Sequence, residues 1–287
     1  MIGKVGVLIL CVTAVVQPVF AGDGNLKKTV GIIDFDNNTF YKDADVVAAT
    51  ITNYVMENLE QNCPGLILQK IKKPVEVDSQ SVAFSGRPVG ANAVIMGTLT
   101  DIRGSKEELG FWFFQELVYY AEVHMLISIY DTETATKLFM ASFEDEITID
   151  KNRFESLESK SASGNLPDVE GPLKRIAEAI SEEVCDTLEK EPFKTYISRF
   201  DVNTVTLVSG GNAGLAEGVR LTIYGAQERI RGNSGEAFYF PGSETGKLEI
   251  RSVSTDSSEG RILSGYVDAV DTCVKEKEEQ CWFWSIW

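Results

Sequence analysis

The sequence predicts a mixed α/β sheet domain with flanking helices, followed by a small all-β barrel-like domain. Two observations predict it. Between residues 27 and 193, apolar runs of strand length alternate with two stretches whose apolar residues recur at helical spacing. From about residue 196 to 270 the helical period disappears, and short strand-like runs are separated by glycine-rich turns.

Each element has its own signal. Thr29 to Asp36 is apolar and partly β-branched and ends in the turn formers Asn37 and Asn38, which predicts a strand. Asp43 can cap a helix from Ala44 whose stripe is Val47, Ile51, Val55 and Leu59; Asn62, Pro64 and Gly65 stop it. Leu66 to Ile71 reads as a short strand, and residues 72–90 give no clear signal. Ala91 to Thr100 and Val118 to Tyr130 read as buried strands. In the second, Val123, Met125, Ile127 and Ile129 face one way and His124, Leu126, Ser128 and Tyr130 the other. Asp131 to Thr134 is a turn, and Ala135 to Ile149 returns as the second arm of a hairpin. The segments 104–116 and 150–170 read as loops. Pro172 suits the first turn of a helix marked by Leu173, Ile176, Ile180, Val184 and Leu188. Lys194 to Arg199 reads as a linker. Beyond it, strands are expected at Val202–Ser209, Val219–Tyr224, Lys247–Val253 and Gly260–Val267, and a cysteine- and tryptophan-containing tail at 271–287.

The first 21 residues have the form of a signal peptide. Lys4 precedes an apolar run from Val5 to Val16, Pro18 breaks it, and Ala21 sits at the cleavage position. The run is shorter than the roughly 20 residues a spanning helix needs, and no later stretch reaches that length. Export to the periplasm is therefore expected, without a transmembrane segment after cleavage and with outer-membrane association through partners. There cysteine pairs persist. Outside the leader stand Cys63, Cys185, Cys273 and Cys281, which allow three pairings. Cys273 and Cys281 flank a charged run and can close a small loop, which leaves Cys63 for Cys185; free buried thiols are the other reading.

A formal net charge of −16 argues against nucleic-acid binding, which requires a basic face. Catalysis is poorly supported: His124 is the only histidine, inside an expected core strand. No cysteines have zinc-site spacing, and neither a metal nor a cofactor is expected. Gly210-Gly211-Asn212-Ala213-Gly214 leads into a strand, where a dinucleotide loop needs a helix. Gly242 to Lys247 is one residue short of a phosphate loop and is followed by Leu248 in place of a hydroxyl residue. Asp34, Asp36, Asn38 and Asp45 lack the glycine and the terminal glutamate of a calcium loop. A carboxylate-based hydrolase remains a minor alternative. Two aromatic clusters stand out: Phe111-Trp112-Phe113-Phe114, and the run containing Trp282, Trp284 and Trp287. Either they pack on their own domain, or a partner covers them; Trp112, Phe113, Trp282, Trp284 and Trp287 are the candidate interface residues.

Several segments together resemble a group of periplasmic domains. The strand Val30-Gly31-Ile32-Ile33-Asp34-Phe35-Asp36, the following helix, the strand Gly90-Ala91-Asn92-Ala93-Val94-Ile95-Met96-Gly97, the turn Ile129-Tyr130-Asp131-Thr132-Glu133-Thr134 and a closing helix occur in the order found in the TolB N-terminal and curli secretion protein G-like group. That likeness covers 27–193. Ala135 stands where the group usually has glycine. The segment Asn212-Ala213-Gly214-Leu215-Ala216-Glu217-Gly218 before the strand ending Ile223-Tyr224 is similar to the C-terminal β domain of the flagellar assembly protein T family. The resemblance implies a non-enzymatic scaffold of the flagellar basal-body ring near the outer membrane. Its partners would be flagellar ring components or outer-membrane lipoproteins, or further copies in a homo-oligomeric ring. The alternative is an accessory or activator of outer-membrane secretion or peptidoglycan synthesis. The flagellar family carries an extra domain ahead of this one, whereas here the expected signal peptide leads almost straight into the α/β domain.

Overall fold

A computed structural model describes residues 26–41, 44–159, 168–225, 228–231, 237–267, 269 and 272–276. The leader, Asp43, Cys281, Trp282, Trp284 and Trp287 lie outside the described residues.

The first layer begins with β1 (Lys28–Ile33), the two-residue β2 (Asp36–Asn37), α1 (Ala44–Asn62), β3 (Leu66–Ile71) and α2 (Ser79–Phe84). It continues with β4 (Ala91–Phe111), β5 (Phe114–Asp131), β6 (Lys137–Ile149), α3 (Lys151–Glu158) and α4 (Glu170–Glu189). The sheet order is β3-β1-β4-β5-β6, with β2 beside β4. β1 is parallel to both β3 and β4, because helical crossovers return the chain in the same direction, whereas β4, β5 and β6 are joined by tight turns and run antiparallel. This is the mixed α/β sheet that the sequence predicts.

One face of the sheet carries the main core. Val30 and Ile32 of β1 and Val123, Met125, Ile127 and Ile129 of β5 meet Ile51, Val55 and Leu59 of α1 and Leu173, Ile176, Ile180, Val184 and Leu188 of α4. The opposite face is covered more thinly: Val82 and Ala83 of α2 pack with Ile33, Val94, Tyr130 and Ala135. Thr52 is the polar exception in α1, and its hydroxyl accepts from the Phe35 amide at 3.0 Å and donates to the Ala48 carbonyl at 2.8 Å. The Cys63–Cys185 disulfide joins the end of α1 to the last turn of α4, with Cα atoms 6.0 Å apart.

Two expected loops prove structured. Residues 151–158 form α3, because the Asp150 carboxylate caps the Arg153 amide at 3.0 Å while Phe154 and Leu157 bury one face. Residues 104–116 continue β4 and β5 to their joining turn. Inside the unassigned stretch 72–90, Asp78 caps α2 by accepting from the Ser81 amide at 2.7 Å. These helices are too short for a hydrophobic period to reveal them.

The second layer is a closed barrel of six strands. β7 (Lys194–Asp201), β8 (Thr204–Leu207), β9 (Arg220–Tyr224), β12 (Glu244–Val253), β13 (Ser258–Gly265) and β14 (Cys273–Glu276) close in the order β12-β13-β8-β7-β14-β9. A separate ribbon, β10 (Glu228–Arg231) with β11 (Ala237–Phe240), follows β9 in the chain. The expected linker Lys194–Arg199 is thus the first barrel strand: Lys194, Thr195, Tyr196 and Ile197 are buried, and polar spelling disguised it. Cys273 to Glu276, expected in the tail, close the barrel between β7 and β9. Ile197, Val205, Leu207, Leu221, Ile223, Leu248, Ile250 and Val274 fill its interior. At Gly210 a Cβ would fall 2.3 Å from the Ser254 carbonyl oxygen, so the glycine there serves a close backbone crossing.

Candidate functional site

β4 and β5 are 21 and 18 residues long, far longer than the sheet beside them. β1 and β2 border β4 only as far as Leu99, and β6 borders β5 only from Tyr119 onward. The hairpin therefore continues past the sheet as a two-stranded arm, and its residues from Glu107 to Phe113 and from Gln115 to Leu117 are exposed. α3 buttresses its root. The Phe154 ring packs over Gly104, where a Cβ would meet Cδ2 at 2.8 Å, and stacks tilted on Tyr119 with centroids 4.9 Å apart. An expanse of side chain at position 104 would push α3 away.

At the far end, Phe111 pairs with Phe114, leaving Trp112 and Phe113 as the two turn residues. Trp112 has φ 50°, a left-handed conformation that hairpin turns normally give to Gly, Asn or Asp. The Trp112 and Phe113 rings stack with centroids 4.9 Å apart and planes 15° from parallel. Phe111, Trp112 and Phe113 are 83%, 74% and 79% exposed. Trp112 and Phe113 therefore stand together and do not pack on their own domain. Sequence reading found these two side chains but took their backbone for a loop. The strand signal was missed because Lys106, Glu107 and Glu108 interrupt the apolar alternation on which strand recognition depends.

A second constellation, missed at the sequence level, joins the two layers. The hairpin turn after β5 buries Asp131, Thr132, Glu133 and Thr134 against the barrel. Lys194 Nζ lies 2.5 Å from Asp131 Oδ1 and 3.5 Å from Glu191, and Lys275 Nζ lies 2.6 Å from Glu133 Oε2. The Tyr196 hydroxyl donates to Thr132 Oγ1 at 2.9 Å, and Arg87 donates to the carbonyls of Thr132 and Glu133 at 2.8 and 2.9 Å. Burial opposes the Asp131 charge, but Lys194 and the Thr134 and Glu133 donors outweigh it and hold the carboxyl below the usual aspartate range. Burial opposes the Lys194 charge too, and Asp131, Glu133 and Glu191 more than offset it, so its pKa is raised. Glu133 Oε1 is buried without a hydrogen-bond partner among the described residues; the other groups are engaged by neighbours and tie the two layers together.

His124 lies half-buried between carboxylates, with Nε2 3.2 Å from Glu122 and Nδ1 3.2 Å from Glu144. Glu122 is desolvated, yet hydrogen bonds with Ser105, Arg103 and His124 keep its pKa below the usual glutamate range. Both ring nitrogens of His124 and the Glu122 carboxylate are thus held by neighbours. Asp34 and Asp36, the first residues of the calcium-like pattern, face Lys70 and Lys73 at 2.8 and 2.6 Å, so lysines take the place of a cation. Among the described residues no group of three or more His, Cys, Asp or Glu could hold a metal ion. No helix among them is long and apolar enough to cross a membrane. Cys273 is buried in the barrel beside Glu133, and both effects push its thiol pKa up. The Cys273–Cys281 bridge lies outside the described residues.

No family model and no curated protein matches the chain. Solved structures similar to it include a hypothetical protein from Chlamydia trachomatis (10% identity, 57% of this chain and 96% of that one, TM-score 0.37). The PelC dodecamer from Paraburkholderia phytofirmans (12%, 57% and 89%, 0.34) and a lipoprotein from Neisseria meningitidis (15%, 55% and 99%, 0.28) are also similar.

Proposed function

We propose that the protein is a non-enzymatic assembly and scaffold protein of the bacterial cell envelope, working in the periplasm as part of a flagellum-type basal-body ring near the outer membrane. The observation that carries this reading is the β4–β5 arm. A body of two layers, joined through Lys194 and Asp131, extends a two-stranded projection whose end displays three exposed aromatic side chains. Large exposed aromatics are characteristic of interaction surfaces, and they do not serve a soluble fold. The leader sequence and the Cys63–Cys185 disulfide support an oxidising, exported setting. The flagellar assignment rests on the resemblance of the two domains in their order.

Purified basal bodies provide the test. Co-purification of the chain, with poor flagellation after its deletion, supports ring assembly. Its absence together with normal motility overturns the flagellar assignment, and pull-downs against secretion and peptidoglycan-synthesis proteins then test the accessory role.

A further inference from the structure

We infer that the tip of the β4–β5 arm inserts into the interfacial zone of a zwitterionic lipid surface. This deepens the envelope reading above and rests on it for the presence of a membrane nearby.

The polarity profile of the arm points to this occupant. Leu109, Phe111, Trp112 and Phe113 form an apolar cap, and polar residues begin immediately behind it at Glu108 and Gln115. On β4 the cap takes in three residues, Leu109 to Phe111, about 10 Å of strand, whereas on β5 only Phe114 precedes Gln115, and Gln115 and Glu116 lie opposite Gly110 and Leu109. The part that is apolar on both strands is therefore shallow, suited to the roughly 5–10 Å to which interfacial elements bury and far short of the 9–11 residues per strand that a spanning hairpin uses. Aromatic rings at the end and carboxylates behind them repeat the order of a bilayer, in which tryptophan occupies the interface and charge stays in the headgroups.

Charge selects among lipids. Between Lys106 and Leu117 the arm has one lysine against Glu107, Glu108 and Glu116, and the whole chain carries −16. An anionic surface would repel this collar, whereas headgroups with an outward ammonium attract it. The cap is also preformed. The stacked Trp112 and Phe113 rings and the Phe154 buttress at the root present it without a folding step on contact.

The experiment is sedimentation of the full mature chain with vesicles of phosphatidylethanolamine and phosphatidylcholine. Wild type is expected to sediment, and W112S/F113S to bind at least about tenfold more weakly given the apolar area of two rings. The tail variant W282S/W284S/W287S should still sediment. Adding phosphatidylglycerol should weaken binding, most at low salt. Trp112→Gly, which suits the left-handed backbone, guards against misfolding as an explanation: it should fold and still lose binding. Wild type remaining in the supernatant, undiminished binding by W112S/F113S, or loss through the tail variant alone would each overturn the inference. Lipid failure with intact basal-body co-purification leaves the assembly reading standing and makes the partner of the arm a protein. Lipid binding without co-purification removes only the flagellar assignment.

Discussion

Lys194, the first residue of the barrel, places its ammonium 2.5 Å from Asp131 Oδ1 in the hairpin turn of the sheet layer, and both side chains are less than a tenth exposed. Two layers of different architecture are thereby joined by a buried charge pair, which acts beside the Lys275–Glu133 pair and the Tyr196–Thr132 hydrogen bond. Removing one partner of such a pair leaves an uncompensated charge. Lys194→Met, which strands Asp131, is expected to cost about 3–5 kcal/mol. Asp131→Asn leaves Lys194 with Glu191 at 3.5 Å and Glu133 at 3.9 Å, and should cost about 1–3 kcal/mol. Thermal melts of both variants check the order. In the double variant part of the loss should return.

The same pair sets a pH dependence. The depressed Asp131 pKa contributes stability that is complete above the ordinary aspartate value and disappears as pH falls through the lower folded-state value. The raised Lys194 pKa contributes stability that is complete below the ordinary lysine value and disappears as pH rises through the higher folded-state value. Melting temperature against pH should therefore show a neutral plateau with an acid and an alkaline limb. Asp131→Asn should flatten the acid limb; an unchanged limb would remove Asp131 as its cause.

Ala135 is the second non-glycine residue with a left-handed backbone, at φ 55°. It stands where the resembling domains carry glycine. Ala135→Gly removes the Cβ clash but adds chain entropy to the unfolded state, and the balance favours the variant by about 0.5–1 kcal/mol. The expected rise in denaturant midpoint, at unchanged slope, is measurable by urea titration.

The Cys63–Cys185 bridge spans a sequence separation of 122 and closes one end of the helix pair. A cross-link over such a long loop restricts the unfolded chain strongly. Cys63→Ser with Cys185→Ser, or reduction of the wild type, should cost about 2–5 kcal/mol. Equal melting temperatures for oxidised and reduced protein would show that the helix packing alone suffices.

What the sequence revealed and concealed follows from which signals are local. The stripe Val55–Leu59 and the alternation Val123–Ile129 are statements about one face, and both faces are where the periods place them. The layer lock depends on residues 63 positions apart, Asp131 and Lys194, and no local pattern connects them. Polar residues at Lys194 and Thr195 made a buried strand resemble a linker, because Lys194 is buried with partners across the layer interface and Thr195 with Ser209 inside the barrel, both as polar side chains. The arm was concealed for the opposite reason. Its charged residues are exposed on both faces, so the backbone pairing between β4 and β5 is the only thing that makes it a strand. The aromatic tip was legible because it needs no context: apolar mass in water is conspicuous wherever it lies.

Trp112 separates stability from function most sharply. Its left-handed backbone costs about 1–2 kcal/mol relative to a residue that adopts that conformation freely. Trp112→Gly removes that cost and also the exposed ring, and it gives up only the stacking contact with Phe113. A stacked aromatic pair contributes about 0.5–1.5 kcal/mol, less than or comparable to the strain relieved. The variant should melt at the wild-type temperature or a few degrees above it, as about 1 kcal/mol gives for a chain of this size. If it melts lower, the tryptophan is a folding element of the hairpin. If it melts as high and the arm loses its partner surface, the strained tryptophan is retained for contact, because folding alone would favour glycine at that turn.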